Sequence, residues 1–155
     1  MLKKLFYGLA VGGALVLVAY LALSMYSRRA PPLGLMDGRL RPCAERPNCV
    51  CSEPVSANVE PLRFDGLSAQ AWERLNDAVL AQGGQVRQRT RDYLHATFES
   101  TYFRFVDDFE ARLDEANNLI HLRSASRVGY GDRGVNRARV EALRVRFGAS
   151  AALQN

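Results

Sequence analysis

Phe103-Arg104-Phe105-Val106-Asp107-Asp108-Phe109-Glu110-Ala111-Arg112-Leu113, then Asp114-Glu115-Ala116-Asn117-Asn118, then Leu119-Ile120-His121-Leu122-Arg123-Ser124-Ala125-Ser126, is the segment on which the architecture turns. Phe103, Phe105, Phe109, Ala111 and Leu113 fall on one parity, the period of a strand with one apolar face. The acidic, asparagine-rich residues 114–118 are turn chemistry, and a second strand-like run over 119–126 follows directly. Together they predict an antiparallel hairpin.

Working outward, 85–91 and 93–100 are also strand-like, with Leu94, Ala96 and Phe98 alternating. Upstream, Ser68 reads as the N-cap of a helix over 69–82, in which Trp72, Leu75, Val79 and Leu80 recur at helical spacing until Gly83-Gly84 stops it. A short strand is expected over 60–64, with Pro61 suiting an edge. Downstream, a helix over 135–147 should bury Val140, Leu143 and Phe147 and expose Arg137, Arg144 and Arg146. The order β-α-β-β-β-β-α predicts an α+β domain over 59–147: a small antiparallel sheet of about five strands with two helices on one face. Residues 148–155 read as a tail.

The N-terminus has a different character. Residues 5–25 hold no charged side chain and are flanked by Lys3-Lys4 and Arg28-Arg29. About 20 apolar residues suffice for a helix to cross a bilayer core of roughly 30 Å. A cleaved signal is the competing reading, but its core usually spans 7–15 residues, and the best small-x-small site, Ala22-Leu23-Ser24, lies inside this run. No cysteine follows a lipobox-like stretch. An uncleaved single transmembrane helix is therefore expected within an anchor segment over 1–30. Gly8 and Gly12 have the small-xxx-small spacing that lets two such helices pack closely. Positive charges flank both ends, so the positive-inside rule does not orient the helix.

Residues 31–58, rich in Pro, Ser and Asn, read as a linker leading to an irregular cysteine-containing cap. Cys43, Cys49 and Cys51 fit zinc spacing poorly, and neither His95 nor His121 sits in a partner motif, so no metal is expected. A Cys43–Cys49 disulfide would close a short proline-stiffened loop and would need an oxidising compartment. The other reading is three reduced thiols in a surface loop. The disulfide reading places the domain outside the cytoplasm, periplasmic in a bacterial envelope. Four of the 21 basic side chains and none of the 16 acidic ones lie in the first thirty residues. The remainder is nearly neutral, so the +5 formal charge does not argue for nucleic-acid binding.

Several motifs resemble one family. Arg41-Pro42-Cys43 and Arg46-Pro47-Asn48-Cys49-Val50-Cys51-Ser52 resemble the "CPxSPNCVSS" opening of the domain-of-unknown-function 1499 family. Residues 102–108 resemble its "FRFVDD" strand, 120–129 its "IHVRSASRVG" strand, and Gly134-Val135-Asn136-Arg137 with Val140-Glu141 its "GVNRxRVE" helix start. The likeness spans roughly 40–147 and implies no established activity. The chain departs from the family at Cys51, where serine is usual, which leaves the pairing of Cys43 with Cys49 open.

Polar residues concentrate over 104–139. Alternation puts Asp107 on the apolar face and Asp108 on the opposite face with Arg104, Glu110 and Arg112, roles that a bulge at 107–108 would exchange; adjacent on a strand, the two cannot share a substrate as a carboxylate pair. A buried carboxylate needs a partner, and Ser124, Ser126, Arg127 and Arg137 are the candidates. One reading is structural, with Asp107 or Asp108 pinning the sheet to the loop over 128–134. The functional reading makes Gly129-Tyr130-Gly131-Asp132-Arg133-Gly134, feeding a helix at Val135-Asn136, an anion pocket framed by Arg127, Arg133 and Arg137. The candidate binding set is Asp107, Asp108, Arg123, Ser124, Ser126, Arg127, Asn136 and Arg137. The expected function is a membrane-tethered extracytoplasmic binding or scaffolding domain, with the bilayer and an anionic lipid or acidic protein as partners. No cofactor is expected. The alternative is an enzyme using the Asp/Arg cluster for acid–base chemistry.

Overall fold

Antiparallel pairing organises the chain beyond its first helix. The computed structural model describes residues 2–152; of the residues read as a tail, 153–155 lie outside it. The elements are helix α1 (Leu2–Ser27), strands β1 (Leu35–Met36), β2 (Arg39–Leu40), β3 (Cys49–Cys51) and β4 (Leu62–Arg63), helix α2 (Ser68–Ala81), strands β5 (Gln85–Arg89), β6 (Tyr93–Glu99), β7 (Val106–Asp114) and β8 (Leu119–Ser126), and helix α3 (Val135–Ala152). β1 and β2 form a small ribbon. The main sheet runs β3-β8-β7-β6-β5, with β4 also pairing along β8. The architecture is α+β, as the pattern predicts.

Four details differ from the sequence expectation. β7 begins at Val106 rather than Phe103, because residues 100–105 close on themselves as a tight turn, with Ser100 N–H bonded to Phe105 O at 2.9 Å. Ser68 lies inside α2 and its hydroxyl donates to Glu115 instead of capping; Leu67 is the N-cap, without a side-chain bond. α3 continues through Gly148 to Ala152, past the expected end at Phe147. The sixth strand, β3, comes from the segment read as cap.

One sheet face is the hydrophobic core. Leu94, Ala96, Phe98, Phe109, Ala111, Ile120 and Leu122 meet Trp72, Leu75 and Val79 of α2 and Val140, Leu143 and Phe147 of α3. Each large side chain buried there is worth about 1.5–3 kcal/mol. The end of α2 needs both glycines. Gly83 has φ +82°, and the Gly83 and Gly84 amides close on Leu80 O and Val79 O, the reciprocal pair that satisfies a helix's last carbonyls. A Cβ on Gly84 would stand 2.7 Å from Phe98.

Over β6, β7 and β8 the other face is also largely closed to water. Tyr93, His95, Thr97, Asp108, Glu110 and His121 lie there and are buried. The chain from Ser27 to Leu40 crosses over them as a strap: Gly34 N–H donates to Glu110 at 2.9 Å and Leu40 N–H to Glu53 at 3.2 Å. Cys43 and Cys49 are disulfide-bonded, with Cα atoms 5.7 Å apart. A loop this short gains about 2 kcal/mol in the chain-entropy account. Cys51 is a free, fully buried thiol. The reading of three reduced surface thiols therefore fails, because β3 draws Cys49 and Cys51 into the sheet.

Candidate functional site

The pleat separates the adjacent carboxylates. Pairing of Thr97 with Asp108 and of Phe98 with Asp107 sends Asp108 to the strapped face and Asp107 to the helix face. Each finds its own network.

On the strapped face, Arg127 follows directly after β8 and clasps Asp108 side-on, Nε to Oδ2 at 2.8 Å and Nη2 to Oδ1 at 2.7 Å. His95 Nε2 lies 2.8 Å from Oδ1. Burial works to raise the Asp108 carboxyl, but the hydrogen bonds and charges of Arg127 and His95 outweigh it and hold the group below the usual aspartate range. Arg127 has a second task. Its Nη1 donates to Ser27 O and Arg28 O, both at 3.1 Å, supplying a cation to the carbonyl end of α1. Ser27 Oγ accepts the Val106 amide at 3.3 Å. The apolar helix is thereby fastened to the start of β7 and the end of β8.

Beside it, Glu110 is fully buried and accepts from Tyr93 OH at 2.7 Å, Arg123 Nη1 at 2.7 Å and Gly34 N–H. Burial and the neighbouring Glu110 charge push the Tyr93 phenol well above its ordinary range. Glu53 takes Arg112 at 2.8 Å and the Leu40 amide. Burial pushes Glu53 up, and these donors with His121 more than reverse it.

On the helix face, Asp107 pairs with Arg139 at 2.7 Å. Asn136 gathers the rest. Its carbonyl oxygen accepts from Ser124 Oγ at 2.7 Å and Arg139 Nη1 at 2.5 Å, and its amide donates to Asn48 O, Ser126 Oγ and Asp132 Oδ2. Asn48 Nδ2 donates in turn to Gly129 O at 2.8 Å. Asp132 caps α3, accepting the Gly134 amide at 2.9 Å and the Asn136 amide at 2.8 Å. Its burial raises the carboxyl, but those backbone donors win and lower it. The free amides at this helix start therefore already hold a carboxylate of the chain itself.

Of the candidate residues, Ser124, Ser126 and Asn136 meet in one network and Arg127 joins Asp108. Arg123 joins Glu110, not an aspartate. Arg137 stays outside, exposed, along a groove with Asn58, Glu60, Glu141 and Arg144. Arg144 is not a free surface cation, since it holds Pro61 O at 3.0 Å and Glu60 O at 2.6 Å beside β4. The sequence reading missed Arg139, Glu110, His95 and Asn48 as partners. Arg139, three residues after Asn136 on one helix face, was the available signal. Among the described residues no group of three or more His, Cys, Asp and Glu side chains is placed to hold a metal ion.

Asp108, Glu53 and Asp132 each have a folded-state pKa below the unfolded value of the same group, which lies in a range of about 4 to 4.5. The unfolded chain then binds more protons as pH falls through that range. The stability these groups contribute is present above about pH 5 and drains away as pH drops towards their folded values. Urea midpoints of the full chain in detergent should hold from about pH 7 to 5 and fall steeply below about pH 4. A flat profile down to about pH 3 would remove the linkage.

Asn48, the strand end at Ser124–Gly129 and the helix start at Asn136 come from three separate motifs and meet in one hydrogen-bonded cluster. Comparison with the curated proteins finds no match. The sequence model of a family described as "Protein of unknown function (DUF1499)" matches residues 39–147, the span that carries the strap's end, the sheet and both packed helices, and the chain belongs to that family.

Proposed function

We propose that this protein is a membrane-tethered domain on the non-cytoplasmic side, binding an anionic group through exposed arginines beside the start of α3. The observation that carries the reading is a contrast of pairing. The buried Asp–Arg cluster is saturated, whereas Arg133 and Arg137 are exposed and have no carboxylate partner among the described residues. The loop that carries Arg133 lies against the cysteine-containing cap, since a Cβ on Gly131 would lie 3.8 Å from the Pro47 ring. With the α3 amides occupied by Asp132, recognition would rest on these side-chain cations rather than on the helix terminus.

The tether is supported by α1, a 26-residue helix with a mean hydropathy of 2.1 in its most apolar window and none of that window buried. The side is supported by the Cys43–Cys49 disulfide, which persists in oxidising compartments. Acid–base catalysis is less well supported. Asp108 is 1 % exposed with both oxygens bonded, so a substrate proton would have to displace Arg127 or His95.

The test has two arms. In cells alkylated before lysis, Cys43 and Cys49 should be recovered as a disulfide by mass spectrometry; two alkylated thiols would overturn the placement. In nanodiscs mixing phosphatidylcholine with phosphatidylglycerol, the full chain should retain the anionic lipid preferentially. Arg133→Ala with Arg137→Ala should weaken that retention about tenfold, the scale of one charge-assisted hydrogen bond. Equal retention by the variant would overturn the anion site.

A further inference from the structure

The connection between β6 and β7 carries aromatic side chains that the domain core does not use. Ser100 clamps it: its hydroxyl accepts the Phe105 amide at 3.0 Å and its carbonyl accepts the Arg104 amide at 3.1 Å. Arg104 takes φ +54° at the bend and pairs with Glu99. The result is a short, hydrogen-bonded tip rather than a loose loop. On it Tyr102 is 91 % exposed and Phe103 is 37 % exposed.

The tip leans on α1. The Phe103 ring stacks on Tyr20 with centroids 4.6 Å apart, and Phe105 lies 6.2 Å from the same ring. Tyr20 precedes Ser27, the last residue of α1, by seven positions, about 10 Å along the axis at 1.5 Å per residue. It also lies within the uncharged run over 5–25. The tip therefore reaches back past the helix end, alongside helix that is apolar enough to sit in lipid.

We propose that residues 102–105 are a second membrane contact, an aromatic tip seated in the same leaflet as the C-terminal half of α1. This rests on the tether reading above. The partner is the bilayer itself, at the boundary between headgroups and acyl chains. That zone favours aromatic side chains, and a reach of about 10 Å matches the roughly 5–10 Å to which interfacial segments bury their apolar face. Charge agrees with that depth. Arg28 and Arg29 are exposed just beyond the helix end, where phosphates would lie, and the Arg104 cation on the tip is paired with Glu99 rather than left bare. With Arg127 gripping the helix end and the tip in lipid, the domain has two supports and a defined tilt.

The experiment uses the full chain in phosphatidylcholine vesicles containing two lipids, one brominated near the carbonyl end of its acyl chains for the depth of the tip and one brominated towards the chain ends for the depth of Leu15. Tryptophan is introduced by Tyr102→Trp or Phe103→Trp, with Leu15→Trp reporting the helix and Val145→Trp, on an exposed position of α3, reporting solvent. Native Trp72 is buried and provides a constant background. Tyr102→Trp removes no packing in the domain, so it remains readable if Phe103→Trp perturbs the stack. The expected result is loss of the added emission by bromine, with a blue shift, at 102, 103 and 15 but not at 145. Quenching at 15 without quenching at 102 or 103 overturns the second contact and leaves the tether standing. A blue shift at 102 and 103 without quenching, as burial against a second copy would produce, also overturns it. No quenching at 15, 102 or 103 overturns both readings.

Discussion

Arg127→Ala is expected to destabilise the domain by about 3–5 kcal/mol, the range for removing one partner of a buried ion pair. The pair is almost dry, with side-chain exposures of 7 % for Arg127 and 2 % for Asp108. Truncation leaves a buried carboxylate with His95 as its remaining partner, and it strips the carbonyls of Ser27 and Arg28 of their donor. Asp108→Asn should cost less, because an amide oxygen still accepts from the guanidinium. Arg127→Lys should fall nearer to alanine, since an ammonium cannot form the side-on fork. Trp72 is the single tryptophan and is 4 % exposed, so the urea midpoint of its fluorescence reads the loss directly. An Arg127→Ala domain within about 1 kcal/mol of the parent would show that the pair contributes little. Unfolding together with loss of lipid retention would mark the cluster as structural. Intact folding with lost retention would mark it as part of a site.

Glu110→Ala should be comparably severe, again about 3–5 kcal/mol, for a different reason. Three donors converge on this carboxylate: the Tyr93 hydroxyl, the Arg123 guanidinium and the Gly34 amide. The first two are left in a closed layer with no acceptor. The third releases the strap that closes it. The variant should therefore also become sensitive to trypsin at the exposed Arg39, at protease levels the parent survives. Replacing both members of the pair, Glu110→Leu with Arg123→Met, should cost less than Glu110→Ala, because it removes the charges instead of orphaning one. A double variant as unstable as the single would mean that the Tyr93 and Gly34 contacts dominate. Unchanged proteolysis at Arg39 would mean that the strap is held elsewhere.

Much of the framework was legible from spacing. The hairpin of β7 and β8, the two packed helices and the opposed orientation of Asp107 and Asp108 follow from periods of two and 3.6, which depend on a residue's near neighbours. Where the reading slipped, a local preference met a distant competitor. Phe103 and Phe105 continue the strand parity, yet Ser100 bends the chain and Tyr20 offers the rings another surface. Ser68 resembles a cap, yet Glu115 takes its hydroxyl. Of the candidate set, the serines, Asn136 and Arg127 are marked in the sequence by strand parity and the glycine-rich turn, and the structure draws them into hydrogen-bonded networks. Arg139 was passed over for Arg137, two positions away, because helix rotation relative to the sheet decides which one points inward.

By itself the sequence determined the apolar helix, the antiparallel α+β core and the split of the carboxylates between two faces. All three are set by side-chain periodicity and by the cost of leaving apolar surface in water. Only the tertiary structure decided that the sheet's polar face is sealed by a strap, that the Asp–Arg pairs are saturated, and that Arg127 binds the end of α1 from 100 positions away. Those outcomes depend on which distant segments return to cover a buried charge. Desolvation compels some partner to be found, but the sequence pattern around the charge does not say which one.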